Sequence, residues 1–249
     1  MIILKSQEEI ERIAKSCDIV ARALNAVRDI VRPGIATEEI ESFVDAYIRS
    51  NNAIPAFKGY RGYPASVCTS VNNEVIHGIP SDRVLKEGDI LSIDLGVYKD
   101  GFYGDAAYTF PVGRIHSDAE RLIKITEEAL YIGIEKARIG NRVSDISHSI
   151  QRHVETNGFS VVRAFVGHGI GSELHEEPQI PNFGVPGRGP RLRAGMTLAI
   201  EPMVNQGGYE VLIRDDGWTA VTVDGKLSAH FEHTILVTLD NPSILTKID

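Results

Sequence analysis

Ile93-Asp94-Leu95-Gly96-Val97-Tyr98-Lys99-Asp100-Gly101-Phe102-Tyr103-Gly104-Asp105 is the stretch whose reading decides the fold. It predicts a β-hairpin, because Asp-Gly satisfies the positive φ that both central residues of a type I′ turn require, and apolar residues flank it. With Asp100-Gly101 at the turn, cross-strand partners carry numbers summing to 201, so Asp105 faces Gly96 and Asp94 lies two residues further along. The two carboxylates then leave the same face as a diagonal pair, with Cβ atoms about 7–8 Å apart. Charges that close repel unless something positive lies between them.

The first strand of this hairpin has an echo. Leu85 to Val97 aligns without gaps on Leu192 to Val204, with Asp94 falling on Glu201. Upstream, Ala23-Leu24 matches Ala129-Leu130, Gly34 matches Gly140, Ile40 matches Ile146 and Asn51 matches Asn157. Such self-similarity precedes any other fold decision. We read residues 1–249 as a single catalytic domain made of two copies, approximately 6–112 and 113–240. A pseudo-twofold relation would bring Asp94 and Glu201 to equivalent places.

Helices precede strands in each copy. Ser6-Gln7-Glu8-Glu9 reads as a capping box before an apolar stripe from Ile10 to Val27, ended by Pro33-Gly34. Thr37 is placed to cap a second helix, the Ser117/Glu120 pair a third and Ser144 a fourth. Strands are expected over 65–71, 90–97, 103–112, 161–166, 197–204, 210–213, 218–223 and 231–238, with a second hairpin turn at Asp224-Gly225. Helices first and strands after point to α+β, an antiparallel sheet covered by helices. Pro181 to Gly195 reads as a long loop, a class that is usually functional.

A net charge of −8 excludes the basic face that nucleic acid or an anionic membrane would demand. Cys17 and Cys68 give no disulfide framework, and no apolar run reaches signal or membrane length, so a cytoplasmic protein is expected.

Two further segments hold candidate chemistry. Gly167-His168-Gly169-Ile170-Gly171 surrounds an imidazole with residues that let backbone pass close by. In Ala229 to Val237 a period of two places Phe231, His233, Ile235 and Val237 on one face, and Glu232 on the other beside His230 and Thr234. Four carboxylates and an imidazole suit divalent first-row ions such as Mn²⁺, Fe²⁺, Co²⁺ or Zn²⁺. Two such ions about 3.5–4 Å apart can share a hydroxide and polarise a carbonyl, the logic of aminopeptidase hydrolysis. No Gly-x-Ser-x-Gly, Walker A or His-Glu-x-x-His pattern competes.

The order Asp94, Asp105, His168, Glu201, Glu232, with His77 in Val75 to Pro80 and His175 in Leu174 to Pro178, resembles the type I methionine aminopeptidases over essentially the whole chain. That resemblance implies the duplicated pita-bread fold shared with creatinase-like enzymes, two divalent ions (Co, Mn, Fe or Zn), and removal of initiator methionine from nascent chains. It implies that Asp105 and Glu232 bridge the ions, that Asp94 holds one, and that His168 and Glu201 hold the other. Glu201 would also shuttle the proton, a metal-activated hydroxide would attack the first peptide carbonyl, and His77 and His175 would hold substrate and intermediate. Only 30 residues separate Glu201 from Glu232, too few for the type II insertion. The chain opens on its first helix, so the N-terminal extensions of some type I relatives and the extra domain of X-Pro-cleaving relatives are not expected.

By the same resemblance Tyr60, Tyr63, Cys68 and Trp218 line the methionine pocket, with Phe57 and Leu174 near its mouth where the family often has other residues. The second residue of the substrate would lie among the histidines and the 181–195 loop. The partner is the N-terminal methionine of new polypeptides, with a transient ribosome association and a monomeric enzyme as further expectations; neither nucleic acid nor membrane is expected. The competing readings are an X-Pro aminopeptidase of the same fold and a catalytically dead binding module, which should have lost ligands.

Overall fold

The computed structural model describes residues 1–247. The turn forms where its residues demand it, with φ of 51° at Asp100 and 90° at Gly101. The flanking strands Ile90–Lys99 and Phe102–Pro111 pair with Asp94 opposite Ala107 and Asp105 opposite Gly96, the expected register.

The hairpin belongs to a nine-stranded sheet. Phe102–Pro111 continues onto Glu232–Leu236, then Thr197–Ile200, Val166–Gly169 and Glu176–Pro181. On the other flank, Cys68–Val71 and Ile54–Pro55 pair with Ile90–Lys99. The strand carrying Asp94 and the strand running into Glu201 therefore each lie one place from the central pair, as the echo between them predicts.

Four helices are present among the described residues: α1 (Gln7–Arg28), α2 (Thr37–Ser50), α3 (Ser117–Glu135) and α4 (Val143–Thr156). Alternation along the strands explains what they cover. Ile93, Leu95 and Val97 are buried with Val20, Leu24, Ile40 and Val44 of α1 and α2. Phe231, Ile235 and Val237 are buried with Leu122, Ile146 and Ile150 of α3 and α4. Each such side chain contributes about 1.5–3 kcal/mol, so this face can hold the sheet together while the other carries charge. Asp94, Asp105 and Glu232 point to that other face. Two three-stranded sheets form its surround: Ser160–Val161, Met203–Asn205 and Ser228–His230 in one, Glu74–Ile76, Ala220–Thr222 and Val211–Ile213 in the second.

Several local expectations are corrected. The 197–204 strand is broken at Glu201-Pro202, because Pro202 has no N–H for the ladder and the chain crosses to a second sheet there. The 161–166 strand is likewise two strands in different sheets. Asp224-Gly225 turns the chain, but its flanking strands pair elsewhere instead of forming a hairpin. Only the α1 capping box forms as read, Ser6 Oγ accepting from Glu9 N and Glu9 Oε2 accepting from Ser6 N; α1 itself ends at Arg28, ahead of Pro33-Gly34. Thr37, Ser117 and Ser144 lie inside their helices, whose N-caps are Ala36, His116 and Arg142. No described helix is long and apolar enough to cross a membrane.

Candidate active site

Asp94 and Asp105 reach the polar face from the hairpin, Glu232 from the neighbouring strand, and Glu201 from the break after Ile200. Glu232 is paired opposite Ala107, two residues from Asp105. The Thr234 hydroxyl donates to Asp105 O at 2.7 Å and accepts from Asp105 N at 3.2 Å, locking the two central strands together. His168 arrives from Val166–Gly169, and its glycines have a definite reason. A Cβ on Gly167 would stand 2.5 Å from Ala199 O, and one on Gly169 2.3 Å from Glu177 O, so only glycine lets this strand pass between its neighbours.

One ligand atom each of Asp105, His168 and Glu232 lies within 4.8 Å of the others. His168 Nδ1 sits 2.9 Å from Gly169 O. A carbonyl only accepts, so Nδ1 carries the hydrogen and Nε2 presents a lone pair. That lone pair faces Glu201 Oε1 at 3.5 Å. Burial lowers the His168 pKa to about 4, so the imidazole is neutral and presents Nε2 as an acceptor. Asp94 Oδ1, Asp105 Oδ1 and Glu232 Oε1 are buried without a hydrogen-bond partner. Burial first, and the neighbouring carboxylates after it, push the acids of Asp105, Glu201 and Glu232 well above their usual range, and burial raises Asp94. Such an arrangement is costly unless cations lie within it. The donor set, oxygens with one imidazole, fits divalent first-row ions.

Above this floor stands a cavity of about 150 Å³ lined by every residue anticipated from the sequence. Tyr63 is fixed by its hydroxyl, which donates to Gly78 O at 2.9 Å, and meets Trp218 edge-on at 5.2 Å. Phe57 packs where Gly96 leaves space, since a Cβ there would come within 2.8 Å of its ring. Phe57 and Leu174, 8% and 1% exposed, form wall and not mouth, a correction that follows from their apolar contacts with Tyr63 and Cys68. Cys68 is buried, and burial raises its thiol pKa well above the ordinary value.

The histidines occupy different settings. His77 has φ of 59° and meets Phe165 and Trp218 edge-on. Beside it Gly78 allows contact with Thr69 O, which a Cβ would approach to 2.3 Å. His175 stacks on Tyr60, whose hydroxyl lies 2.8 Å from Nδ1. Its ring centroid is 4.2 Å from that of His168. Burial lowers the pKa of His77 to about 4 and, with help from neighbouring cationic groups, that of His175 to about 3.

The 181–195 loop is not part of the cavity wall. It begins inside the Glu176–Pro181 strand and is tied to α4, with Arg188 O accepting from Ser144 Oγ at 2.8 Å and Gly187 N donating to Asp145 at 2.7 Å. Its one link to the site is Asn182, whose Nδ2 donates to Glu201 O at 2.9 Å. Asn182 and Arg61, which lines the cavity, were not singled out from the sequence. Neither carries a local signal, because each reaches the site through tertiary contact. His230 had one, the period of two that sets it beside Glu232; it is buried, with Nε2 3.9 Å from Glu201 Oε2.

A family model for metallopeptidase family M24 matches residues 11–239. A methionine aminopeptidase of Clostridium perfringens is 57% identical over 248 residues, covering all of both chains. The chain belongs to metallopeptidase family M24, among the methionine aminopeptidases. Methionine aminopeptidase 1 of Bacillus subtilis is 51% identical, again over the full length of both. The crystal structure of a methionine aminopeptidase from Thermotoga maritima superposes with a TM-score of 0.98 at 50% identity, covering 99% of this chain and 100% of that one. The fold is accordingly the pita-bread arrangement, and the buried carboxylate cluster sits in a chain of a metallopeptidase family.

Proposed function

We propose that this M24 chain removes the N-terminal methionine from polypeptides whose second residue is small, using two divalent ions held by Asp94, Asp105, His168, Glu201 and Glu232. The observation that carries the proposal is the joining of that donor cluster to a narrow, mostly apolar cavity walled by Phe57, Tyr63, Cys68 and Leu174. Asp94, Asp105, His168, Glu201 and Glu232 would hold the ions, with Asp105 and Glu232 shared between them as the family resemblance implies. When bound, such ions act as Lewis acids toward a carbonyl and make water nucleophilic at neutral pH.

The chain's own groups do the rest. The cavity walls accept an unbranched thioether, and the N-terminal residue of the substrate fills the slot so that the first peptide carbonyl lies over the carboxylate floor. Glu201 takes the proton of the attacking water at its carboxylate and returns it to the leaving amine. With the Tyr60 hydroxyl donating to Nδ1, the neutral His175 ring carries its hydrogen on Nε2 and donates it to the carbonyl oxygen as charge builds there. His77, held in a fixed orientation between Phe165 and Trp218, accepts from the substrate amide N–H at its unprotonated ring nitrogen. A bulky second residue would push the carbonyl off the floor, and small misplacements slow reaction steeply. We read the chain as one catalytic domain of two copies, 6–112 and 113–240, acting as a monomer on nascent chains in the cytosol with a transient stay at the ribosome.

Purified protein with added Mn²⁺ or Co²⁺ should cleave Met-Ala-Ser and Met-Gly peptides and leave Met-Leu-Ser and Ala-Pro-Ala nearly untouched. Equal kcat/KM for Met-Ala-Ser and Met-Leu-Ser would refute the small-residue rule. Preferential cleavage of Ala-Pro-Ala would replace the methionine assignment with the X-Pro reading.

A further inference from the structure

We propose that Arg61 is a specificity-determining residue that favours peptides with a carboxylate side chain at the third position. The proposal rests on the aminopeptidase reading and extends it to the part of the substrate beyond the scissile bond. Arg61 is the only Lys or Arg among the described residues lining the cavity. Most of the lining is buried or half-buried, and Arg61 and His175 are its least covered members. A peptide with its first side chain in the slot must therefore run out past these two.

The local backbone shows that Arg61 is held there. Tyr60–Gly62 is a single tight turn, with φ of 86° at Gly59, 49° at Arg61 and 91° at Gly62. Tyr63 N donates to Tyr60 O at 2.9 Å, and Gly59 N to Tyr63 O at 2.8 Å, closing it from both ends. The left-handed region is uncommon for a residue with a Cβ, yet here it carries a long cation. The guanidinium lies 5.3 Å from the Tyr60 ring centroid, and that ring stacks on His175. It engages no described carboxylate as an ion pair, so its charge is available at the rim.

Two divalent ions offset the four carboxylates of the floor, so in the loaded enzyme Arg61 is the fixed charge that sets the field at the rim. An extended substrate with its first side chain in the slot would carry its third residue past Arg61, which favours a carboxylate there. An exposed ion pair is modest, equivalent to about a two- to fivefold change in an equilibrium constant, and it is screened by salt.

The test compares Met-Ala-Glu-Ser-amide with Met-Ala-Lys-Ser-amide, the amides removing a terminal carboxylate that Arg61 could read instead. In the Mn²⁺-loaded enzyme at low salt, the Glu peptide should have a kcat/KM about two- to fivefold higher, expressed in KM, and the gap should shrink in 0.5 M NaCl. Arg61→Gln should bring the ratio to about one, Arg61→Glu should invert it, and Arg61→Lys should retain it. An effect exerted only through His175 would scale both peptides alike and leave the ratio unchanged. No preference in the unmodified enzyme, or a preference that survives Arg61→Gln, overturns the proposal. Failure to cleave any Met-Ala peptide would overturn the aminopeptidase reading and this proposal with it.

Discussion

Gly167 and Gly169 set the position of His168 more strictly than any side-chain contact does, because carbonyl oxygens occupy the space their side chains would need. Gly167→Ala should therefore destabilise the protein by about 1–3 kcal/mol, the usual penalty for overpacking, and lower metal content with it. Thermal melts and metal analysis after dialysis check both. The histidines should separate by role. His168→Ala should lose metal and activity together, whereas His175→Ala and His77→Ala should keep metal and lose turnover by about 10²–10⁴. Comparable metal loss in His175→Ala would reassign it as a ligand. The glycines around His168 mark a close backbone approach in the sequence, whereas the separate roles of His77, His168 and His175 came only with the resemblance to the family. Sequence alone could not reveal that Phe57 forms wall and not mouth, since that depends on the space left by Gly96 across the sheet.

At the level of elements, the turn at Asp100-Gly101 was readable because its requirement is local: two residues with positive φ and a strict alternation on either side. Helix starts were not, because tertiary bridges override capping preference. Ala36 pairs with Val84 and Arg142 with Arg191, holding both residues extended, so α2 and α4 begin immediately after them. The Thr37 hydroxyl is consumed by Ser81, donating to its carbonyl and accepting from its N–H. Where the box is local, at Ser6, Ser6→Ala should cost about 0.5–2 kcal/mol with catalysis intact, which urea unfolding can measure. In α2 the Arg49 guanidinium beside Asp45, with Ser66 and Lys58 behind it, holds the Asp45 carboxyl below its usual range. A depressed folded value gives stability that is present above the unfolded pKa of about 3.9 and lost as pH falls through the folded one. Asp45→Asn should therefore lower stability at pH 6 and make little difference near pH 2.5.

For the whole molecule, the carboxylate floor couples metal to stability. Asp105, Glu201 and Glu232 hold protons to higher pH when folded than when unfolded, so each takes stability from the metal-free protein as pH rises above the unfolded carboxylate pKa of about 4. Added Mn²⁺ should raise the melting temperature of chelator-treated protein by binding the native state. Asp105→Asn removes one crowded charge, so it should raise the melting temperature of the metal-free protein while weakening metal binding; a lower melting temperature would refute the repulsion. The gapless echo between Leu85–Val97 and Leu192–Val204 made the two flanks of the sheet legible, although only the second strand breaks, at Glu201-Pro202. In the two small sheets the strands near 210–213 and 218–223 were legible, whereas Glu74–Ile76 and Ser228–His230 were too short for any period to show. The direct ladder between the central strands is brief, Glu232 opposite Ala107 and His233 opposite Ala106, yet the donor cluster draws on both sides of it. Lys5, ahead of α1, also reaches Glu176 in a buried ion pair at 2.5 Å. On the two-copy division proposed above, the segment between Pro111 and Ser117 would be the covalent link. Opening it would leave two inactive fragments whose association alone rebuilds the site, a split enzyme in which turnover reports reassembly and divalent ion acts as the glue.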